Sequence, residues 1–548
     1  MSLTRPMFRL TLLSTLITAT TVSFAAESVP ETTLDSLTVT ATRSPTLVQN
    51  TIAQTTVIDE ADLQRYQGQN VLEVLKHQPG FSFYQSGGQG TVSNFWLRGY
   101  SGKQVLVLVN GIRYSSMTTG VTALNLIPAD QVERIEVLYG ASGSSLYGSE
   151  AMGGVIQIFT KGQMAAQSNV ALTLGAGSQE SYQAQVTGQY ITDKTTLSLS
   201  AGHEQTDGFN ATLPSAFAFY PDKDGYDSDN GSLFIKHQLT ETTDIGLSGV
   251  INQSTTDTDN GAAAVISYDD QKNAIGTAFL HYQKDSINTS LTYGESIDEV
   301  KSHAGANLDT FKTRQRQANL QMTYDLPLGK VIGGLDWLKQ KADVNSLYNS
   351  FNQDRTVKSG FIGYQIAQPN YDFQAHVRYD DNSQYDSETT YNIGGAYRLM
   401  PDLRVGASYA TGFRAPTLND LYAKSSYFNG NPDLIPETSD NAEVFMEYTR
   451  PNQTTRLTGY WSDIEDGINY NNNYSTMVNI DKSKIKGVTL TSDWDVNNVL
   501  FGGNYDYQET EDKATGKELV YHPTHKGLVY VGYRLPEFDI RAEAQYMG

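Results

Sequence analysis

Aspartates spaced two apart are the groups in this chain best placed to do chemistry. Asp222-Lys223-Asp224-Gly225 sets two carboxylates beside a glycine turn, with Asp227 and Asp229 just beyond, and Asp257 and Asp259 fall in the next polar stretch. Carboxylates at i and i+2 on a flexible turn, joined by more from a neighbouring loop, suit an oxygen cage for Ca²⁺. The third ligand would be Asp257 or Asp259. A helix-loop-helix calcium pattern is not matched, because no Glu occupies its closing position. The same residues also read as an ordinary solvated acidic loop. Other chemistry is thinly supplied. The eight His are scattered, and neither His-Glu-x-x-His nor Gly-x-Ser-x-Gly occurs. With no Cys there is no disulfide framework, thiolate metal site or thiol nucleophile. These features argue against an enzyme, and no catalytic residue is assigned.

The elements that carry the aspartates are strands. From about residue 165 to the end, segments of roughly ten residues alternate apolar and polar side chains. In 181–190, Tyr182, Ala184, Val186, Gly188 and Tyr190 fall on one face and Gln183, Gln185, Thr187 and Gln189 on the other. About nine to eleven residues suffice for a tilted strand to cross a bilayer. Some nineteen such segments read as an outer-membrane β-barrel. The 39% hydrophobic content and mean hydropathy of −0.41 fit, since only one side chain in two faces lipid. The 34 Tyr suit aromatic girdles. Short links such as Thr192-Asp193-Lys194 and Lys284-Asp285-Ser286 mark one rim. Longer polar stretches (204–231, 253–272, 295–315, 341–358, 411–440, 462–486 and 509–526) mark the other as loops. His203, His237 and His281 read as wall residues. The net charge of −21 argues against nucleic acid.

The N-terminal part is different. Residues 1–26 have an apolar run after Arg5 and Arg9 and end in Ser23-Phe24-Ala25-Ala26, as an export signal does. Residues 27–50 are polar, with one β-capable run at Leu37–Thr42. They read either as an arm that can pair with another protein's sheet edge or as a disordered leader. Residues 51–162 mix short helices, capped by Asp59 and Asn70, with buried strands at 55–58, 105–109, 135–138 and 155–159. This is a small α+β domain of a size to plug the lumen of a wide barrel (163–548). A plugged pore opens only against work. With no P-loop in the chain, the work must come from a partner.

Specific motifs carry a resemblance. Asp35-Ser36-Leu37-Thr38-Val39-Thr40-Ala41-Thr42-Arg43 resembles the TonB box of TonB-dependent outer-membrane transporters. Asn70–Leu75 with Pro79-Gly80, Leu97-Arg98-Gly99, Val105–Arg113 and Tyr147–Ile156 are similar to that family's plug. Phe413-Arg414-Ala415-Pro416 and Gly430-Asn431-Pro432-Asp433-Leu434 match its barrel. Gly333–Gln340, Asp380–Gln384 and Ile485–Val488 resemble stretches of the cobalamin (vitamin B12) receptor branch. Asn110 stands where the family usually has Asp.

The resemblance implies a 22-stranded antiparallel barrel, the last strands of which are missing after Met547. It implies a TonB box at Asp35, Ser36, Leu37, Thr38, Val39, Thr40 and Ala41, and partnership with TonB and, through it, ExbB and ExbD. It implies a monomer set among outer-membrane lipid and lipopolysaccharide. Its ligand would be a corrinoid, with a siderophore or haem as the alternative within the family and a passive porin or adhesin outside it. Plug loops with Gln85, Ser86, Val92 and Asn94, and with Ser115, Met117, Thr118 and Thr119, would face outward and touch the ligand. Calcium at Asp222 and Asp224 would order the outer loops. Arg98, Arg113, Glu133, Glu136 and Glu150 would either bind plug to barrel or hold the plug's own fold together.

Overall fold

The computed structural model describes residues 38–39, 43–165, 167–259, 265–347, 349–425, 428–471, 473–480, 482–535 and 538–548. The export signal and all of the arm before Arg43 except Thr38–Val39 lie outside them. Nineteen antiparallel strands follow one another in chain order, from Asn169–Ala176 to Asp539–Met547. Among the described residues these first and last strands each pair on one side only.

Alternation decides which way each side chain points. In Tyr182–Ile191, Tyr182, Ala184, Val186 and Tyr190 are exposed, whereas Gln185 and Thr187 are buried in the lumen. The exterior repeats this with Leu199, Leu247, Leu291, Leu335, Ile393 and Leu457, all exposed. Only lipid makes such a surface favourable. No described helix is long and apolar enough to cross a membrane.

Several stretches expected as loops are strand instead. Asn307–Leu326 runs for 20 residues, and 295–304 pairs with 307–316 across a tight turn at Gly305. At about 3.4 Å per residue such a strand is about 65 Å long, far more than the roughly 30 Å of hydrocarbon requires, even when tilted. Beyond the lipid both faces of the strand are wet. The sequence alternation disappears there while the hydrogen-bond ladder continues. The longer links lie between Phe209 and Asp224, Arg414 and Glu437, Glu465 and Ser483, and Asp512 and His525, all on one rim. The opposite rim has short turns such as 192–194, 241–242 and 285–286.

Inside the barrel sits the N-terminal domain. Its main sheet has the order Thr55–Ile58, Val132–Tyr139, Gly154–Thr160, Val105–Val109, Ile112–Arg113. The inner strands are wholly buried, because both faces are covered. Asp59 accepts the Asp62 amide at 3.0 Å and starts helix Glu60–Gln64; Asn70 does the same for Glu73 and helix Val71–Leu75. The second helix buries Val71, Leu72, Val74 and Leu75 in the plug core.

Candidate functional site

At the outer rim the carboxylates meet. One oxygen from each of Asp222, Asp224 and Asp259 lies within 4.8 Å of the others. Asp224 is fixed by the Ala211 amide, 2.8 Å from its Oδ2. Both oxygens of Asp259 are buried without a hydrogen-bond partner among the described residues. An acceptor-only group withdrawn from water with no donor fits a cation. Asp257, two residues before Asp259, adds its charge, and burial together with Asp259 and Asp257 pushes the Asp222 carboxyl above its ordinary range. Burial likewise raises Asp224, with Asp259 and Asp222 adding to it.

The plug loop Ser86–Val92 joins strands Phe81–Gln85 and Ser93–Leu97 and reaches this corner. Gln89 donates to Glu204 at 3.1 Å, and a Cβ on Gly87 would stand 3.1 Å from the Ala211 methyl. Gly90, at φ +79, leaves no room for a side chain against Tyr226 and Thr256. Of the residues expected to meet ligand here, Ser86 and Val92 are exposed, and Gln85 and Asn94 half-buried. In the second loop Thr119 is exposed and Ser115 half-buried. Thr118 is buried, and Met117 lies under Leu418 at the start of the short helix Leu418–Tyr422. The expectation of an outward Met117 therefore differs from its place in the structure, because its thioether packs with Ala342 and Leu418. An aromatic shelf, unmarked by any sequence motif, completes this face: Tyr521 stacks on Trp96 at 5.7 Å, with Tyr84 beside it, and His522 Nε2 lies 2.8 Å from the Gly99 carbonyl.

Below the loops, wall cations hold the plug by its backbone. Arg404 donates to the Thr51 carbonyl at 3.0 Å and Arg456 to that of Ile52 at 2.7 Å. Lys526 donates to the carbonyls of Lys76, Gln78 and Phe81. Arg378 reaches Leu146 at 2.9 Å. Each arginine is balanced by wall carboxylates: Asp372 and Glu447 for Arg404, Glu447 for Arg456, Asp336 and Asp380 for Arg378. Of the plug charges singled out in the sequence, Arg98 crosses to the wall, 3.0 Å from Glu443. Arg113 pairs with Glu150 at 3.2 Å and Arg134 with Glu136 at 2.6 Å, both inside the plug. Glu133 accepts the Met164 amide at the plug's exit. The wall arginines were missed by sequence reasoning. Their signal was a cation at a lumen position, as at Arg456 between Thr454 and Thr458.

The arm returns on itself, Thr38–Val39 pairing with Thr46–Leu47. Arg43 ends beside Asp336, held by two bonds of 3.1 and 2.9 Å, with its guanidinium over the rings of Tyr147 and Phe361.

A plug held in a barrel is matched by two family descriptions: TonB-dependent Receptor Plug Domain over residues 48–155, and TonB dependent receptor-like, beta-barrel, over 173–548. The chain belongs to the TonB-dependent receptor family. Members of this family bind a small-molecule ligand and interact with TonB. The chain is 30% identical to the vitamin B12 transporter BtuB of Photobacterium profundum, over 96% of this chain and 86% of that protein. BtuB of Vibrio cholerae is also 30% identical, over 98% and 87%. Among solved structures, a mutant of the ferric enterobactin receptor PfeA of Pseudomonas aeruginosa in complex with enterobactin superposes with a TM-score of 0.78 at 18% identity, covering 91% of this chain and 87% of that one. The siderophore receptor PirA of Acinetobacter baumannii gives 0.73 at 16%, covering 90% and 85%. These structural likenesses concern the fold.

Proposed function

We propose that this receptor imports cobalamin across the outer membrane of a Gram-negative bacterium, with TonB, driven by ExbB and ExbD, supplying the work. The ligand assignment is supported by 30% identity to vitamin B12 transporters over nearly the whole chain. Ligand settles between the plug loops around Ser86–Val92 and Ser115–Thr119 and the long barrel loops. A bulky, mostly neutral corrinoid needs amide, hydroxyl and ring contacts there more than charges. TonB then adds a strand to the arm at Asp35–Ala41 and pulls. Equilibrium binding to the purified, full-length protein tests the ligand. Cyanocobalamin should bind and ferric enterobactin should not; the reverse result would transfer the assignment to siderophores.

Asp222, Asp224 and Asp259, with Asp257 near, are proposed to hold Ca²⁺ and so brace the two outer loops against each other. A divalent cation there would neutralise carboxylates that repel one another. Chelation, or Asp224→Asn, should weaken cyanocobalamin binding in a calcium-dependent way. Protons compete with the cation. Because Asp222 and Asp224 are raised, calcium-dependent binding should fall off on acidification while ordinary aspartates are still ionised. In calcium-free protein the sign reverses: a raised carboxyl adds stability as pH falls, so acid should stabilise these loops. Calcium-independent binding at every pH would rule the site out.

A further inference from the structure

Two flanks of the plug meet the wall in different ways. The edge strand Thr55–Ile58 lies beside the segment gripped through Thr51 and Ile52 by Arg404 and Arg456. The other edge, Ile112–Arg113 and the loop after it, touches the wall through neutral groups. Gln317 accepts the Arg113 amide at 3.1 Å and donates to the Gly111 carbonyl at 2.9 Å. Gln315 donates to the Ser115 carbonyl at 2.7 Å, and Thr313 accepts the Met117 amide at 2.9 Å. Below these contacts plug and wall part, leaving a cavity of about 660 Å³. It runs from the short turn Glu241–Thr242 on the inner rim to Gln340, Arg355 and Tyr385 beneath the outer loops. Arg43 of the arm lines it.

We infer that this cavity is the preformed inner part of the ligand's passage, and that the plug opens by rocking away from strands 287–345 about its charge-held flank. The inference rests on the import reading above. Magnitudes favour it. A hydrogen bond from a charged donor is roughly twice as strong as a neutral one, so the carbonyls gripped by Arg404 and Arg456 are harder to release than those met by Gln315 and Gln317. The Arg113–Glu150 pair is internal to the plug and travels with it intact. The layer that shuts the outer end is thin: Gln340 donates to the Met117 sulfur at 3.0 Å, and Leu418 donates its amide to the Met117 carbonyl at 3.0 Å. Removing Arg43 with the pulled arm takes one wall off the same cavity.

The absence of native Cys makes a reversible lock possible. A Cβ on Gly294 would lie 2.7 Å from Ile112 Cγ1, and a Cβ on Gly412 would lie 3.0 Å from Ser144 Oγ, each near the spacing across a disulfide. In cells taking up radiolabelled cyanocobalamin, oxidised Ile112→Cys/Gly294→Cys should fall to background and recover with reductant. Oxidised Ser144→Cys/Gly412→Cys, on the opposite flank, should keep transporting. Loss under the second lock, or survival under the first, would overturn the inference. If the reduced variants and the parent chain all fail to take up cyanocobalamin, the ligand reading fails instead. The flank is then tested by amide hydrogen exchange of the full-length protein in detergent. Segment 112–120 should exchange faster than segment 51–58, and the opposite order would refute the rocking motion.

Discussion

Across the plug, from Thr55–Ile58 to Ile112–Arg113, the contact with the wall changes from buried charge to neutral amide. On the first side the cations aim at plug carbonyls, while their carboxylate partners sit in the wall itself. On the second side glutamines and a threonine meet the plug backbone, and a cavity interrupts the seam. A plug must be held firmly without being held everywhere. The difference teaches that strength and release can be assigned to opposite edges of one small sheet. The charged contacts on the side of release belong to the arm, where Lys330 donates to the Pro45 carbonyl at 3.0 Å and Arg43 pairs with Asp336; they leave with the pulled arm, and Asp336 keeps Arg378.

The largest effect is expected from the arm. Val39→Pro removes a backbone donor from the strand that TonB would extend, so uptake should drop to background while cyanocobalamin binding persists. Retained uptake would detach the arm from the mechanism. Next comes the charged flank. Arg456→Met leaves Glu447 with Arg404 alone, at 3.6 Å, and should cost about 3–5 kcal/mol, read as a lowered unfolding midpoint in detergent. The smallest effect belongs to the neutral flank. Gln315→Ala should cost about 1 kcal/mol and raise exchange in 112–120 without loosening 51–58. A larger loss from Gln315→Ala than from Arg456→Met would invert the comparison.

Much of the fold was legible. Dyad alternation as in 181–190 is a local property, set by which face meets lipid, and it fixed the strands within the membrane. The caps at Asp59 and Asn70 were equally local and were read correctly. The extents of 287–304 and 307–326 were not legible, because above the lipid no burial distinguishes the two faces of a strand. Nor were the partners of the wall arginines. Asp336 is called to Arg43 and Arg378 by closure of the lumen, 293 and 42 residues apart in sequence. The aspartates at 222, 224 and 259 showed their type and spacing in sequence, but their convergence depends on how two neighbouring hairpins are set. Met117 was misplaced for the same reason: its cover, Leu418, comes from a barrel loop about 300 residues later.

The most direct test of the account is uptake of radiolabelled cyanocobalamin by cells whose only receptor is this chain, intact or lacking residues 35–43, with and without TonB. Import is predicted only where both the arm and TonB are present, with surface binding in every case. Uptake that is indifferent to the arm and to TonB, or no binding of cyanocobalamin at all, would contradict it.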